Sequence, residues 1–323
     1  MAKVEFAILG AGAIGSILGA HLARAGHSVL MLARARRAQQ IERDGLAITG
    51  LSEFSQAVQT LSDPAQLQAA EVLIVATKTY VTAPALAALR HADIGVGLSI
   101  QNGMMKDELL ADAFGSTRVL GALANLSGEL LASGKVLFTR NYRLTVGELD
   151  GSDSARAQRI AAALETSGIR AVADRDILAL EWSKFAAWAP MMILSVTTRA
   201  LTWKFLLDPG AALVLVRLVR EVGALAAARH VQLSDSGVLP VATICQSSDA
   251  DAVAALAAIG REMRSSAPLH RMSTLQDLEA GRPLEIEETL GHALRMADAV
   301  ALDLPLLGGC YPLVAGIDRM QGM

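Results

Sequence analysis

Two groups of residues in this chain have the types and spacing to do chemistry. Gly10-Ala11-Gly12-Ala13-Ile14-Gly15 spells G-x-G-x-x-G. In such a turn Gly10 permits a tight bend, Gly12 lets the backbone approach a pyrophosphate, and Gly15 lets a helix pack closely on the strand before it. Ala13 and Ile14 then open a helix whose N-terminus offers N–H groups and a partial positive charge to phosphates. The motif is weak alone in a chain this rich in Gly and Ala, but it directly follows an apolar run and opens a helix. The second group punctuates apolar segments: Lys78, Asn102, Lys184, Ser273 and Glu285. A lysine ammonium can stabilise a carbonyl oxygen that is becoming an alkoxide and then release its proton. Read singly, each has a plainer explanation. Lys78 and Asn102 fit ordinary strand-end loops, Lys184 a surface helix lysine, and Glu285 an acid favouring a helix N-terminus.

The elements that would position these residues are readable from local pattern. The first half alternates short apolar runs with helical stretches. Strands are expected over residues 4–9, 28–32, 72–76 and 96–100, and a helix over 14–25, which indicates a parallel sheet covered by helices on both faces. Lys78 and Asn102 follow the third and fourth of these strands, and ligands of open α/β sheets sit beyond strand carboxyl ends. Residues 134–149 suggest a hairpin turning at Asn141, at a sheet edge. A helix over 156–168 and a strand over 169–173 follow. Beyond Asp176 strands nearly vanish, and residues 177–207, 211–230, 250–264 and 285–300 are helical in pattern or composition. The expected fold is α/β: a Rossmann-type dinucleotide-binding domain over residues 1–175, then an all-helical catalytic domain over 176–323. A cleft between two such domains is a common place for a small-molecule site.

Cofactor choice is readable after the second strand. An NAD-specific site places Asp or Glu there to accept the ribose hydroxyls. This chain has Ala33-Arg34-Ala35-Arg36-Arg37, with no acid until Glu42. Arg34 can bind a 2′-phosphate through charge-assisted hydrogen bonds, so NADPH is favoured. The plainer reading is a solvated basic helix start.

Bulk properties narrow the class. The 323 residues are 52% hydrophobic and 19% charged, which excludes general disorder. A net charge of −3 with scattered Lys and Arg argues against nucleic acid. Two cysteines cannot supply a disulfide framework, and the six histidines lack metal-ligand spacing, so no metal is expected. The apolar start is better explained by a strand and glycine turn than by a signal peptide. The apolar stretch 186–196 is short of the ~20 residues a membrane span needs. A soluble cytoplasmic protein with no membrane partner is expected, and a homodimer is compatible with it.

Taken together, GAGAIG, the strand-end Lys78, Gln101-Asn102-Gly103, Trp182-Ser183-Lys184, and Ser273-Thr274-Leu275-Gln276-Asp277 followed by Gly281-Arg282-Pro283-Leu284-Glu285-Ile286 resemble the ketopantoate reductase family along nearly the whole chain. The resemblance implies a small keto acid substrate and assigns roles residue by residue. Lys184 is implied as the general acid at the keto oxygen. Glu285 is implied as the carboxylate that holds the substrate hydroxyl, partners the lysine and borders the cofactor. Ser273 is implied as a contact to the substrate carboxylate. Asn102 and Lys78 are implied as contacts to both cofactor and substrate.

The chain departs from the family where asparagines are usual four and eight residues after the lysine. Trp188 and Met192 stand there, with Pro190 between them. These could pack on the tail of a more apolar 2-keto acid. Alternatively both face the core and a nearby hydroxyl, Ser195 or Thr198, substitutes; or the protein binds NADP(H) without turnover, as a sensor or partner-binding module. A related hydroxyacid or opine-type dehydrogenase usually employs other acid–base residues, often a histidine, for which His270 is the nearest suspect by sequence, although a packed or surface role suits it better.

Overall fold

In the computed structural model, which describes residues 3–321, the run VEFAIL forms strand β1 (Val4–Leu9). From Phe6 onward its side chains alternate between two cores. Phe6 and Ile8 join one, while Ala7 and Leu9 join the other. A strand buried on both faces is apolar almost throughout, here at every position but the partly exposed Glu5, which is why the run reads as near-continuous rather than alternating. The chain divides into two compact units, Met1–Asn102 with Lys106–Leu178, and Gly103–Met105 with Ala179–Met323.

In the first unit β1 is followed by α1 (Ala13–Arg24), β2 (Val29–Leu32), α2 (Ala35–Asp44), β3 (Leu46–Gly50), β4 (Phe54–Gln56), β5 (Gln59–Leu61) and β6 (Ala69–Val75). Next come α3 (Thr82–Ala87), β7 (Asp93–Ser99), α4 (Met105–Phe114), β8 (Val119–Leu130), β9 (Val136–Gly147), α5 (Ala155–Thr166) and β10 (Ala171–Ala173). Among the described residues the strands form one mixed sheet in the order β4-β3-β9-β8-β7-β6-β1-β2-β5, with β10 on β9. Strands β8, β7, β6, β1, β2 and β5 run parallel to their neighbours in this order, with β5 at the edge. Residues of α1 and α5 cover one face, and residues of α3 and α4 the other.

The expected hairpin within residues 134–149 is not there. Those residues largely belong to one strand, β9, whose antiparallel partner is β8. The turn lies at 131–135, where Leu131 N donates to Lys135 O (2.9 Å) and Gly134 adopts φ +86°. Asn141 sits mid-strand, where the register shifts by one residue. Its amide donates to Gly168 O (2.9 Å) and accepts from Arg170 N (3.1 Å). A residue that favours turns is held in the strand because its side chain supplies hydrogen bonds that the irregular ladder lacks. Nor is β9 at an edge, since β8 flanks one side and β3 and β10 the other.

The second unit contains most of α6 (Ile177–Thr198), then α7 (Thr202–Leu207), α8 (Pro209–Ala228), α9 (Val241–Gln246), α10 (Asp249–Ser266), α11 (Ser273–Glu279), α12 (His292–Ala299) and α13 (Pro305–Met320). Residues 177–207 are therefore not one helix. The break falls at Arg199, whose φ is +52°, and Thr198 caps it: its hydroxyl donates to Leu194 O (2.6 Å) and accepts from Ala200 N (3.3 Å). Pro190, in contrast, leaves α6 uninterrupted although it removes one backbone donor. This helix has 22 residues and is long and apolar enough to cross a membrane, but its apolar window is 78% buried within the structure, as in a core helix.

Residues 285–300 also differ from a plain helix. Glu287–Gly291 is a π-helical turn leading into α12. Among the described residues, no three His, Cys, Asp or Glu side chains gather as metal ligands would.

Candidate active site

In the first unit, Leu9 aligns with Leu32 and Val75, and Val75 with Ser99, across four adjacent parallel strands. Neighbouring strands lie about 4.8 Å apart, so the segments leaving these four ends form one rim. The glycine turn, Arg34, Lys78 and Asn102 all stand on it. Strand order reverses at β1, the position where open α/β sheets bind ligands.

The three glycines are needed for different reasons. Gly10 has φ +111°, and a Cβ there would lie 2.8 Å from the Ala76 carbonyl carbon and Thr77 N. A Cβ on Gly15 would lie 2.0 Å from Gly10 O. At Gly12 nothing approaches within 4 Å of the Cβ position, so the turn is open there. Gly12 caps α1 without any side-chain hydrogen bond, and the first turn of α1 carries no acid. The start of α2 carries none either, and Arg34, its N-cap residue, is exposed. These features fit a dinucleotide phosphate on the turn, with no carboxylate to repel a second phosphate beyond β2.

Lys78 and Asn102 are half-buried, and a buried glutamine joins their loops. Gln101 Nε2 donates to Thr77 O (2.7 Å) and Thr82 Oγ1 (2.6 Å), and Gln101 Oε1 accepts from Ser99 Oγ (3.0 Å). Thr82 Oγ1 in turn donates to Lys78 O (3.1 Å). In the sequence Gln101 is legible only as part of a motif; the available signal is a long amide directly after the buried strand-end Ile100.

In the sequence Arg37 belongs to one basic run with Arg34 and Arg36, but in the fold it is half-buried and turned inward. It donates to Ala11 O (3.2 Å), Ser16 Oγ (3.2 Å), Gln40 Oε1 (2.9 Å) and Gly134 O (2.9 Å). Burial lowers its pKa from the usual guanidinium value. Its position, one residue before the buried Ala38 and four before the buried Ile41, was the clue that it faces inward.

In the second unit, every residue of α6 from Glu181 to Val196 is buried except Lys184, which is partly exposed. Trp188 (8% exposed) and Met192 (1%) follow at four-residue steps, on roughly the same helical face. Of the two hydroxyls that could replace the absent amides, Thr198 is committed to ending the helix. Ser195 is fully buried, and its hydroxyl has no hydrogen-bond partner among the described residues.

Ser273 is the exposed first residue of α11. The rest of that motif shapes the chain locally. Gly281 (φ +64°) follows α11, Arg282 N donates to Asp277 O (2.9 Å), and the Arg282 guanidinium donates to the Asp277 carboxylate (2.7 Å). This closes the helix end with a left-handed glycine. It leads through Leu284, whose N–H donates to Asp318 of α13 (2.9 Å), to the partly buried Glu285. Glu287 and Glu288, not Glu285, occupy the following first helical turn. Thr289 fastens the segment by donating to Glu285 O. His270 is exposed and its Nδ1 pairs with Thr202 Oγ1 (2.9 Å) at the start of α7.

Comparison with known proteins agrees over nearly all of the chain. The family model described as Ketopantoate reductase PanE/ApbA matches residues 6–151, and that for the C-terminal part of the same family matches residues 176–318. A 2-dehydropantoate 2-reductase of Archaeoglobus fulgidus is 29% identical over 314 residues, covering 96% of this chain and 97% of that protein. One from a Nostoc species is 26% identical, covering 98% and 96%. The crystal structure of a PanE/ApbA family ketopantoate reductase from Ralstonia eutropha superposes with a TM-score of 0.83 at 25% identity, covering 99% of this chain and all of that one. D-mandelate dehydrogenase bound to NADH and anilino(oxo)acetate shares the fold, with a TM-score of 0.84 at 19% identity and coverage of 99% and 100%. The chain belongs to the ketopantoate reductase family, NADP-dependent oxidoreductases that act on CH–OH groups.

Proposed function

We propose that this protein reduces a 2-keto acid to the 2-hydroxy acid with NADPH, in the cytoplasm. Residues 1–175 hold the cofactor and 176–323 carry the acid chemistry. 2-Dehydropantoate, for which the relatives are named, is the first candidate substrate. The observation that carries the reading is Lys184: a partly exposed ammonium in an otherwise buried stretch of α6.

Gly10, Gly12, Ala13, Ile14 and Gly15 would hold the dinucleotide phosphates, and Arg34 the 2′-phosphate. Bound NADPH supplies the hydride. As the keto oxygen gains negative charge, the Lys184 ammonium stabilises it and transfers a proton from Nζ to it, to be replaced from solvent. Glu285 accepts a hydrogen bond from the substrate hydroxyl and opposes loss of charge at the lysine. The Ser273 hydroxyl donates to the substrate carboxylate, while Lys78 and Asn102 orient cofactor and substrate. Trp188 and Met192, buried and apolar where amides are usual, favour a substrate with an apolar tail.

The test is NADPH oxidation on a panel of 2-keto acids by the wild type and Lys184→Ala. Loss of a general acid lowers kcat by about 10²–10⁴-fold, and NADPH affinity should be retained. Equal turnover by the variant would reject the assignment. Tight NADPH binding by a wild type inert toward every keto acid would instead support a non-catalytic NADP(H)-binding protein, the alternative that the missing amides motivate.

A further inference from the structure

We infer that Arg37 is a positioning residue that turns the Ala11–Gly12 peptide so that its N–H faces the cofactor pyrophosphate; this rests on the dinucleotide-binding reading above.

The Ala11 carbonyl accepts two hydrogen bonds from the protein side of the turn. One comes from Arg37 Nε (3.2 Å) and the other from Ser16 Oγ (3.2 Å). Arg37 Nη2 also donates to that same Ser16 hydroxyl (3.2 Å), which is fully buried. In a trans peptide the C=O and the following N–H point in opposite directions. Drawing the Ala11 oxygen inward therefore aims the Gly12 N–H away from Arg37 and Ser16, in a turn that is also open at the Gly12 Cβ position. The same rotation removes the negative end of the peptide dipole from the place an anion would occupy.

The peptide needs such a clamp. Its orientation depends on ψ of Ala11 and φ of Gly12, and glycine adopts either sign of φ at little cost. The guanidinium that does the clamping is itself fixed. Arg37 Nη1 donates to Gln40 Oε1 and to Gly134 O (both 2.9 Å), and Gln40 Nε2 donates to Ser133 O (3.0 Å). Thus the β8–β9 turn anchors the arginine, and the arginine sets the glycine turn. Four of the five N–H donors of a guanidinium are engaged internally, one from Nε, two from Nη1 and one from Nη2. Arg37 is therefore not a 2′-phosphate ligand, unlike the exposed Arg34.

The pyrophosphate is common to NADPH and NADH, whereas the 2′-phosphate belongs to NADPH alone. Dissociation constants for both nucleotides, measured by calorimetry on the purified full chain, separate the two roles. Arg37→Gln should weaken NADPH and NADH by the same factor, roughly tenfold for loss of a charge-assisted bond, with kcat at saturating cofactor retained. Arg37→Lys keeps the charge on a single donor nitrogen and should fall between. Ser16→Ala should weaken both nucleotides equally but less, and carries the test if Arg37→Gln does not fold. Arg34→Gln should weaken NADPH selectively. A loss confined to NADPH in Arg37→Gln would make Arg37 a 2′-phosphate ligand and overturn the inference. So would unchanged affinity for both nucleotides with a lowered thermal midpoint, which marks a purely structural strut. Wild-type protein that binds neither nucleotide would sink the dinucleotide reading itself, and this inference with it.

Discussion

Replacing Gln101 with methionine keeps the length of the side chain and removes its amide. Gln101 Nε2 has two hydrogens and uses them on Thr77 O (2.7 Å) and Thr82 Oγ1 (2.6 Å), while Oε1 accepts from Ser99 Oγ (3.0 Å). Thr77 and Thr82 keep their mutual hydroxyl contact (2.9 Å), so the main loss falls on Thr77 O and Ser99 Oγ. Each lost bond costs about 1 kcal/mol net, and a buried group left without a partner about 1–3 kcal/mol. The total is roughly 2–4 kcal/mol of local stability. Thr82 in turn holds Lys78 O, so relaxation of this loop displaces Lys78 relative to Asn102. If half of the lost energy appears in the transition state, kcat/KM falls roughly tenfold, at about 1.4 kcal/mol per decade. Gln101→Glu should be worse despite its shape, because a carboxylate oxygen then faces Thr77 O. The assays are kcat/KM with NADPH and a reactive keto acid, and hydrogen exchange over residues 77–82 and 99–102. A lowered unfolding midpoint with unchanged kcat/KM and no faster exchange in those two segments would refute the reasoning.

Three further outcomes are expected. Gly15→Ala places a methyl 2.0 Å from a backbone oxygen and should lower the thermal midpoint markedly, whereas Gly12→Ala meets open space and should leave stability unchanged while weakening nucleotide binding. His21 is buried against Phe54 and Phe138, and this burial, only partly offset by its bond to Ser167 O (2.8 Å), lowers its pKa. The folded state then binds fewer protons than the unfolded chain below about pH 6.5, so stability is full above that pH and declines as pH falls toward the lower folded value. Urea midpoints at pH 7.5 and 5.5 should show this decline, and His21→Gln should flatten it; an equal slope in both proteins would assign it to other groups. Trp188→Asn with Met192→Asn should shift kcat/KM from apolar-tailed 2-keto acids toward 2-dehydropantoate, as a competition assay with both substrates would show; an unchanged preference places the two side chains away from the substrate tail.

Elements whose signals are local are legible in the amino-acid order alone. A strand buried on both faces is apolar almost throughout, a dinucleotide turn needs glycine at fixed offsets, and helices after residue 176 follow from composition and period. Lys184 stood out only as part of an ordered set of motifs, because a lysine in an apolar helix has the same local pattern whether it is surface or site. What the tertiary structure decided was partnership. β9 pairs with β8 rather than folding back at Asn141, since the hydrogen bonds that hold Asn141 straight come from Gly168 and Arg170. Arg37 reads as one of three like charges, yet it is turned inward onto Ala11, Ser16, Gln40 and Gly134, the last of them 97 residues away. Periodicity and turn chemistry are written in neighbouring residues. The acceptor that satisfies a buried donor is fixed only when remote segments meet.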